Sequence, residues 1–294
     1  MKLLIAGANG MFAHDLIQLL QQTGDVSQEW DCHAPSETEF NITELESIEQ
    51  TVYAVNPHIL INCAAYTQVD QAETDIVRAK LINEEGVQNL AHICAKNHVK
   101  LIHLSTDFVF DGNQSEPYLE SDEPNPQGVY AQTKLAGEQA IQNSDVDHLI
   151  VRTSWLYGAA GHNFVKTMLH LAQEHPELKV VCDQIGSPTW TVDLAKAMLF
   201  LLKADAAGIV HFSNQGQCSW HEFAKETIQI AHELDYLPQL TPVLKVSTTE
   251  YPLPAKRPAF SVLNCDKYTT LTKQVPPPWK SSLKQMLTKQ LQTD

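Results

Sequence analysis

Basic residues are scarce in this chain of 294 residues. Twenty Lys and Arg stand against thirty-five Asp and Glu, a formal net charge of −15. A duplex nucleic-acid binder needs a basic face, so no nucleic-acid partner is expected. Small anionic ligands stay open, because backbone amides and a few local cations hold phosphate. Long apolar runs are also missing. None is long enough to cross a bilayer, so no membrane partner is expected. The first apolar run is broken at once by Gly7 and Asn9, so no signal pattern is read and a cytoplasmic location is expected. Six cysteines include no CxxC pair, and several lie in apolar runs, as buried thiols of a reduced protein do. Thirteen histidines include no HExxH, and His170 and His175 are five apart, a poor helical pair for a metal. No metal site is assigned.

What is present begins with Lys2-Leu3-Leu4-Ile5-Ala6, a run suited to a strand buried on both faces of a parallel sheet. Gly7-Ala8-Asn9-Gly10-Met11-Phe12-Ala13 follows, then a helical pattern through Leu16, Ile17, Leu19 and Leu20. Strand, glycine turn and helix form the context of a dinucleotide fingerprint. Gly7 permits the tight turn, and Gly10 lets the backbone approach a pyrophosphate at the helix N-terminus. The spacing is GxxGxxA, with Ala13 where a third glycine is usual; the alternative is a plain βα turn. About twenty residues on, Asp31 is placed to accept hydrogen bonds from an adenosine ribose. No Arg or Lys lies between Thr23 and Thr51 to meet a 2′-phosphate, which favours NADH over NADPH. Glu39 and Phe40 either flank an adenine or simply precede a helix starting near Thr43, with Glu46 completing a capping box.

His58 to Ala65 reads as a second buried strand ending in small residues, against which a cofactor can lie. Asn83 through Cys94 is a periodic helix. Val99 to Leu104 is the next strand, ending in Ser105-Thr106-Asp107, whose hydroxyls point into a ligand crevice. A Pro- and Gly-rich loop then stops just before Tyr130-Ala131-Gln132-Thr133-Lys134. A Tyr and a Lys four apart share one helix face, and a nearby ammonium lowers a phenol's pKa from about 10. Such a phenol exchanges protons with a carbonyl or alcohol. Tyr and Lys also meet this way on ordinary helices, and Glu138, one turn on, is a competitor for the ammonium. Trp155 follows the strand His148 to Arg152 and either stacks on a sugar or packs in a core. Thr191 caps a helix through Leu202, Gly208 to Ser213 is a last sheet strand, and Ser281 to Gln292 is a final helix.

Together these stretches resemble the extended short-chain dehydrogenase/reductase family, in its branch that reduces dTDP-linked keto sugars. The residues that carry the likeness are Gly7 to Ala13, Asn62 to Thr67 with Val69-Asp70 and Ala72-Glu73, and Leu104 to Gly112. They continue with Tyr130 to Glu138, Arg152 to Gly158, Gln184 to Thr189 and Arg257-Pro258. Met11 and Ala13 stand where the branch usually has Gln and Gly, and Phe108 where it commonly has Tyr. The resemblance implies an α/β chain with a Rossmann-type doubly wound parallel sheet and a smaller C-terminal α/β substrate lobe. Residues 1–155, with about 190–215, would form the dinucleotide domain, and 156–189 with 216–294 the substrate lobe.

The resemblance also implies the chemistry. A nicotinamide cofactor, NADH or NADPH, would reduce the C4 ketone of a dTDP-linked 6-deoxy-hexulose to dTDP-L-rhamnose. Tyr130 would protonate the sugar oxygen, Lys134 hold the nicotinamide ribose, and Thr106 hydrogen-bond the same oxygen. Gly7, Gly10, Met11 and Phe12 would line the pyrophosphate, and Asp31, Glu39 and Phe40 the adenosine. Ala64, Ala65, Tyr66 and Thr67 would lie along the cofactor; Asp107, Trp155 and Arg257 would face the dTDP-sugar substrate. Two other readings stay open: a non-catalytic NAD(P)-binding regulatory subunit of the same fold, and a nucleotide-sugar epimerase. So does a homodimer.

Overall fold

The computed structural model describes residues 1–22 and 30–291. Strands follow in chain order: β1 Lys2–Ala6, β2 Asp31–His33, β3 Ile59–Asn62, β4 Lys100–Thr106, β5 His148–Thr153 and β6 Leu156–Tyr157. They continue with β7 Leu178–Val181, β8 Ile185–Gly186, β9 Thr189–Trp190, β10 Gly208–His211, β11 Cys218–Ser219 and β12 Val243–Val246. Six of them form one sheet in the order β10-β5-β4-β3-β1-β2, every pair parallel. This is the doubly wound sheet expected. Its strand order reverses at β1, with β2 on one side and β3 on the other, so a crevice opens at their carboxyl ends.

The apolar runs explain the layering. Side chains alternate along a strand, so Leu3 and Ile5 face one way, Leu4 and Ala6 the other. Leu3 and Ile5 join Leu16, Ile61, Ile102, Leu149 and Met198 in one core. Leu4 joins Ile48, Leu60, Leu90, Leu101 and Ile150 in a second. Each fully buried Leu or Ile contributes roughly 1.5–3 kcal/mol, and the continuous runs place such residues on both faces. A third core, with Tyr157, Val165, Trp190, Phe223, Trp279 and Leu283, lies under the helices Phe164–Glu174, Trp220–Glu233 and Trp279–Leu291. Tyr268, from the short helix Asp266–Thr272, packs into the first core instead. The last helix was expected to reach Gln292, which lies outside the described residues.

Three local expectations are corrected. The helix after Phe40 runs Leu45–Val55 with Glu44 at its cap position and no side-chain cap, so there is no Thr43–Glu46 capping box. Thr43 instead donates its hydroxyl and its N–H to Asn41 Oδ1 at 2.9 and 3.1 Å, a local turn that competes with capping. Thr191 does not cap the helix Thr191–Lys203 but is its first residue, and its hydroxyl donates to Asp15 Oδ2. The helix expected from Asn83 is a composite: Ile76–Lys80 is α-helical, Leu81–Glu85 is a π turn, and Gly86–Lys96 is α-helical again.

Candidate active site

The glycine turn is a backbone device. Gly7 has φ of +74°, and a Cβ there would meet the Ala64 backbone nitrogen at 2.5 Å. Only glycine fits both demands. Gly10 N–H donates to Gly7 O at 3.0 Å, and the helix Met11–Gln22 starts at once, its first amides aimed back at the turn. Across the crevice, Ala64 N–H donates to Asn62 Oδ1 at 3.0 Å, fixing the exit of β3. A cleft of about 360 Å³ lies between them, with Gly7, Gly10, Phe40, Ala64, Ala65 and Arg78 in its wall. A bare backbone cradle at a helix N-terminus fits the pyrophosphate of a dinucleotide.

The structure does not bring every expected residue to that cleft. The Phe12 side chain is buried in the first core, so only its amide faces the turn. Met11 packs toward Gly158 and Gly161. Asp31 opens β2 beside Lys2, at the far end of β1 from Gly7. Five residues at about 3.3 Å rise put it roughly 13 Å short of the carboxyl edge, near His33 and away from the cleft. Glu39 turns its carboxylate to the Ser36 N–H and hydroxyl at 2.9 and 2.7 Å, and these bonds hold its pKa below the usual carboxylate value. Glu37 lines the cleft in its place. Tyr66 is buried with its hydroxyl donating to Asp75 Oδ2, and Thr67 is exposed; neither lines the cleft. Arg78 does, exposed and with no ion-pair partner among the described residues. It lies well after the cation-free stretch from Thr23 to Thr51.

The second end of the site is built from side chains. The helix Val129–Gln142 begins after Gly128 with no side-chain cap of its own. Glu73, from the segment after β3, accepts the Val129 N–H at 2.9 Å, placing a carboxylate at the positive helix end. Asn83 takes the Tyr66 N–H on Oδ1 at 2.8 Å and donates to Tyr66 O and Thr133 Oγ1, and Gly137 lets this helix pack on the Asn83 carbonyl. Tyr130 thus stands in the first turn, its ring edge-on to Phe108 at 5.8 Å. Thr106, at the end of β4, lies beside its phenol.

The electrostatics differ from those read off the Tyr–Lys spacing. Burial pushes the Tyr130 phenol up to about 12; the hydrogen bond with Thr106 opposes this, and the Asp107 charge adds to it. Lys134 contributes no depression. Its own pKa is pushed down to about 8 by burial, with the Glu138 charge opposing. Lys134 Nζ donates to Leu104 O at 2.7 Å and lies 3.1 Å from His103 Nε2. Glu138 does not bond the ammonium. It is fully buried in a two-toothed pair with Arg152, the shortest contact 2.6 Å. Asp107 is buried, and burial pushes its carboxyl up to about 7 against hydrogen bonds from Ser261 and Thr106.

Trp155 adopts a left-handed φ of +46°, strain of the kind that gathers at functional sites. Its ring is stacked on Trp220 at 3.5 Å, and Gly186 leaves room for the indole. Trp220 is the first residue of the helix Trp220–Glu233, and no sequence motif marks it. Arg257 gives both terminal nitrogens to Asp70, at 3.0 and 2.7 Å, tying residues 187 apart. The guanidinium expected to face the substrate is thus occupied by Asp70. Among the described residues no group of three His, Cys, Asp or Glu is placed to hold a metal ion.

A doubly wound parallel sheet, a backbone cradle at its switch point, and a Tyr beside a strand-end Thr define a nucleotide-linked reductase of the short-chain dehydrogenase type. The family model for the RmlD substrate binding domain matches residues 1–292, and the chain belongs to that family. It is 38% identical over 294 residues to dTDP-4-dehydrorhamnose reductase of Escherichia coli, covering 98% of this chain and 97% of the relative. It is 40% identical over 263 residues to the spore coat polysaccharide biosynthesis protein SpsK of Bacillus subtilis, covering 90% and 89%. The crystal structure of dTDP-4-dehydrorhamnose reductase from Bacillus anthracis in complex with NADP superposes with a TM-score of 0.91, at 38% identity over 98% and 99% of the two chains.

Proposed function

We propose that this chain reduces the C4 ketone of dTDP-4-dehydrorhamnose to dTDP-L-rhamnose with a nicotinamide cofactor, as a cytoplasmic enzyme of polysaccharide precursor synthesis. The observation that carries the reading is the meeting of Tyr130 and Thr106 at the end of β4, next to the Gly7–Ala64 cradle. A bound nicotinamide supplies the hydride. The carbonyl carbon receives it, and the oxygen takes the Tyr130 proton while Thr106 donates a hydrogen bond to the growing charge. A phenol held up to about 12 keeps that proton at neutral pH, as an acid must before the step. Asp107, buried next to Thr106, is the acceptor for a sugar hydroxyl. The third core and the strands β7 and β12 make up the substrate lobe, and the sheet with its two cores the dinucleotide domain.

Cofactor choice follows from Arg78. Asp31 no longer argues for NADH, whereas an exposed guanidinium without an ion-pair partner in the cleft suits a 2′-phosphate, so NADPH is the preferred donor. Arg78→Ala should raise the NADPH KM about tenfold or more, the loss of one charge-assisted hydrogen bond, and leave NADH within twofold. Equal effects on both would show that Arg78 does not read a 2′-phosphate. The function itself is tested by NADPH oxidation over dTDP-, UDP- and GDP-linked 4-keto-6-deoxy sugars. Turnover confined to the dTDP-linked substrate is expected. Cofactor binding with no turnover would support the regulatory subunit. Tightly held NAD⁺ with no need for external donor would support the epimerase.

A further inference from the structure

The substrate contact expected of Arg257 is replaced by a closed set of bonds. Nη1 and Nη2 donate to Asp70 Oδ1 and Oδ2 at 3.0 and 2.7 Å, and Nη1 also donates to Ala255 O at 3.0 Å. Asp70 Oδ1 takes the Ala255 N–H as well, at 3.1 Å. Three donors thus fix this carboxylate, and the Arg257 bond holds its pKa below the usual carboxylate value. A two-toothed pair fixes direction as well as distance. Moving to a substrate phosphate would exchange one set of charge-assisted bonds for another and leave Asp70 with the Ala255 N–H alone. The segment that Arg257 anchors runs on past the reacting groups. Gly112, beyond the end of β4, packs so closely on it that a Cβ there would meet Pro258 Cβ and the Ala259 nitrogen at 2.6 Å. Ile185 of β8 donates its N–H to Ala259 O and accepts the Ser261 N–H, each at 2.8 Å. Ser261 is buried, and its hydroxyl bonds Asp107, the neighbour of Thr106.

Residues 255–261 therefore form a strap. Arg257 ties one end to the segment after β3, Ser261 ties the other to the segment after β4, and β8 holds it from the side of the substrate lobe. The first anchor is shared with the Tyr130 helix. Asp70 lies in the short helix Val69–Ala72, and Glu73 at the end of that helix accepts the Val129 N–H at 2.9 Å. We propose that Arg257 is a positioning residue that acts through Asp70: the pair clamps the 255–261 strap to the dinucleotide domain, and so holds Asp107 in place and sets the width of the crevice beside Tyr130. The strap joins elements on both sides of the crevice, so its tension is felt where the sugar enters and not in the Gly7 cradle. Its bearing on sugar binding rests on the proposed reductase reading. The clamp itself does not.

The test has two arms. In the first, amide hydrogen exchange of the whole protein is compared with that of Asp70→Asn. Amides of the 255–261 strap should exchange about fivefold faster, the upper end of what a partly exposed ion pair holds, while β1, β3, β4 and β5 keep wild-type protection. Unchanged exchange in the strap overturns the proposal, and so does a loss spread evenly over the sheet. This arm needs no substrate. In the second, kinetic constants for dTDP-4-dehydrorhamnose are measured for Asp70→Asn, for Arg257→Met and for the two combined. Each single variant should raise the sugar KM about fivefold and lower kcat less, with the NADPH KM and melting temperature near wild type. The double variant should be no worse than either, because both remove one clamp. If Arg257→Met raises the sugar KM while Asp70→Asn leaves it unchanged or lowers it, Arg257 binds the substrate itself and the proposal falls. Equal losses in sugar KM, NADPH KM and stability make the pair merely structural and also overturn it. A wild type that turns over no keto sugar refutes the assigned reaction, and the exchange arm then decides the clamp alone.

Discussion

The glycine turn and the Tyr130 helix face the same crevice and are built by opposite means. The turn is local: one strand, two glycines and a helix start, with the Cys63–Ala64 backbone packed against it. The Tyr130 helix depends on distant side chains. Glu73 caps it, Asn83 seats it, and the buried Glu138–Arg152 pair ties it to β5. A site built from backbone tolerates changes of side chain around it but not an added Cβ. A site built from side chains tolerates neither the loss of one partner nor its neutralisation.

Breaking the chemistry without the scaffold should have the largest effect. Tyr130→Phe should lower kcat by roughly 10²–10⁴-fold, the span of a positioned general acid, with NADPH affinity and melting temperature near wild type. Activity within a few-fold of wild type would remove Tyr130 from the mechanism. Glu138→Gln attacks the side-chain scaffold and leaves the Arg152 charge buried and uncompensated, a loss of about 3–5 kcal/mol measurable in urea. A loss below about 1 kcal/mol would mean the pair is solvated. Gly7→Ala attacks the backbone scaffold. The left-handed backbone costs about 1–2 kcal/mol and the clash with Ala64 about 1–3 kcal/mol. Stability and NADPH affinity should fall together, and unchanged affinity would separate the turn from the cofactor. The smallest effect is a pH dependence. The Asp107 carboxyl, raised to about 7 in the fold, binds its proton more tightly folded than unfolded. Its contribution to stability is therefore complete below about 3.8 and lost as pH rises through 7. At about 1.4 kcal/mol per pH unit the bound is about 4 kcal/mol, and solvent reaching the site lowers it. Asp107→Asn should flatten the stability profile between pH 4 and pH 8, and a profile unchanged by the substitution would show that Asp107 ionises freely.

The same contrast explains what was legible in the sequence. The apolar runs of β1, β3, β4 and β5 and the Gly7 turn are local patterns, so the sheet and the cradle could be read directly. Tyr130 and Thr106 are legible as candidates because one stands at a marked helix start and the other at a strand end. The errors came where a residue's place depends on register or on a distant partner. The spacing from Gly7 points to Asp31, but pairing of β2 with β1 begins at Lys2 and puts Asp31 at the far end of the sheet. Arg78 reaches the cleft from the segment after β3, and no spacing announces that. Thr191 and Thr43 look like helix caps, yet each hydroxyl has a stronger partner nearby. The shift of Tyr130 ran opposite to expectation because spacing reveals the neighbour but not the burial that outweighs it.

The wide turn at Leu81–Glu85 carries a further consequence. A regular helix advances about 100° per residue, so this turn resets the angular phase of everything after it. Deleting one residue here would let the segment close into an ordinary helix with better hydrogen bonds of its own. It would also swing Asn83 out of line with Tyr66 and Thr133, and a gain in local order would be accompanied by a helix carrying Tyr130 that had lost its seat.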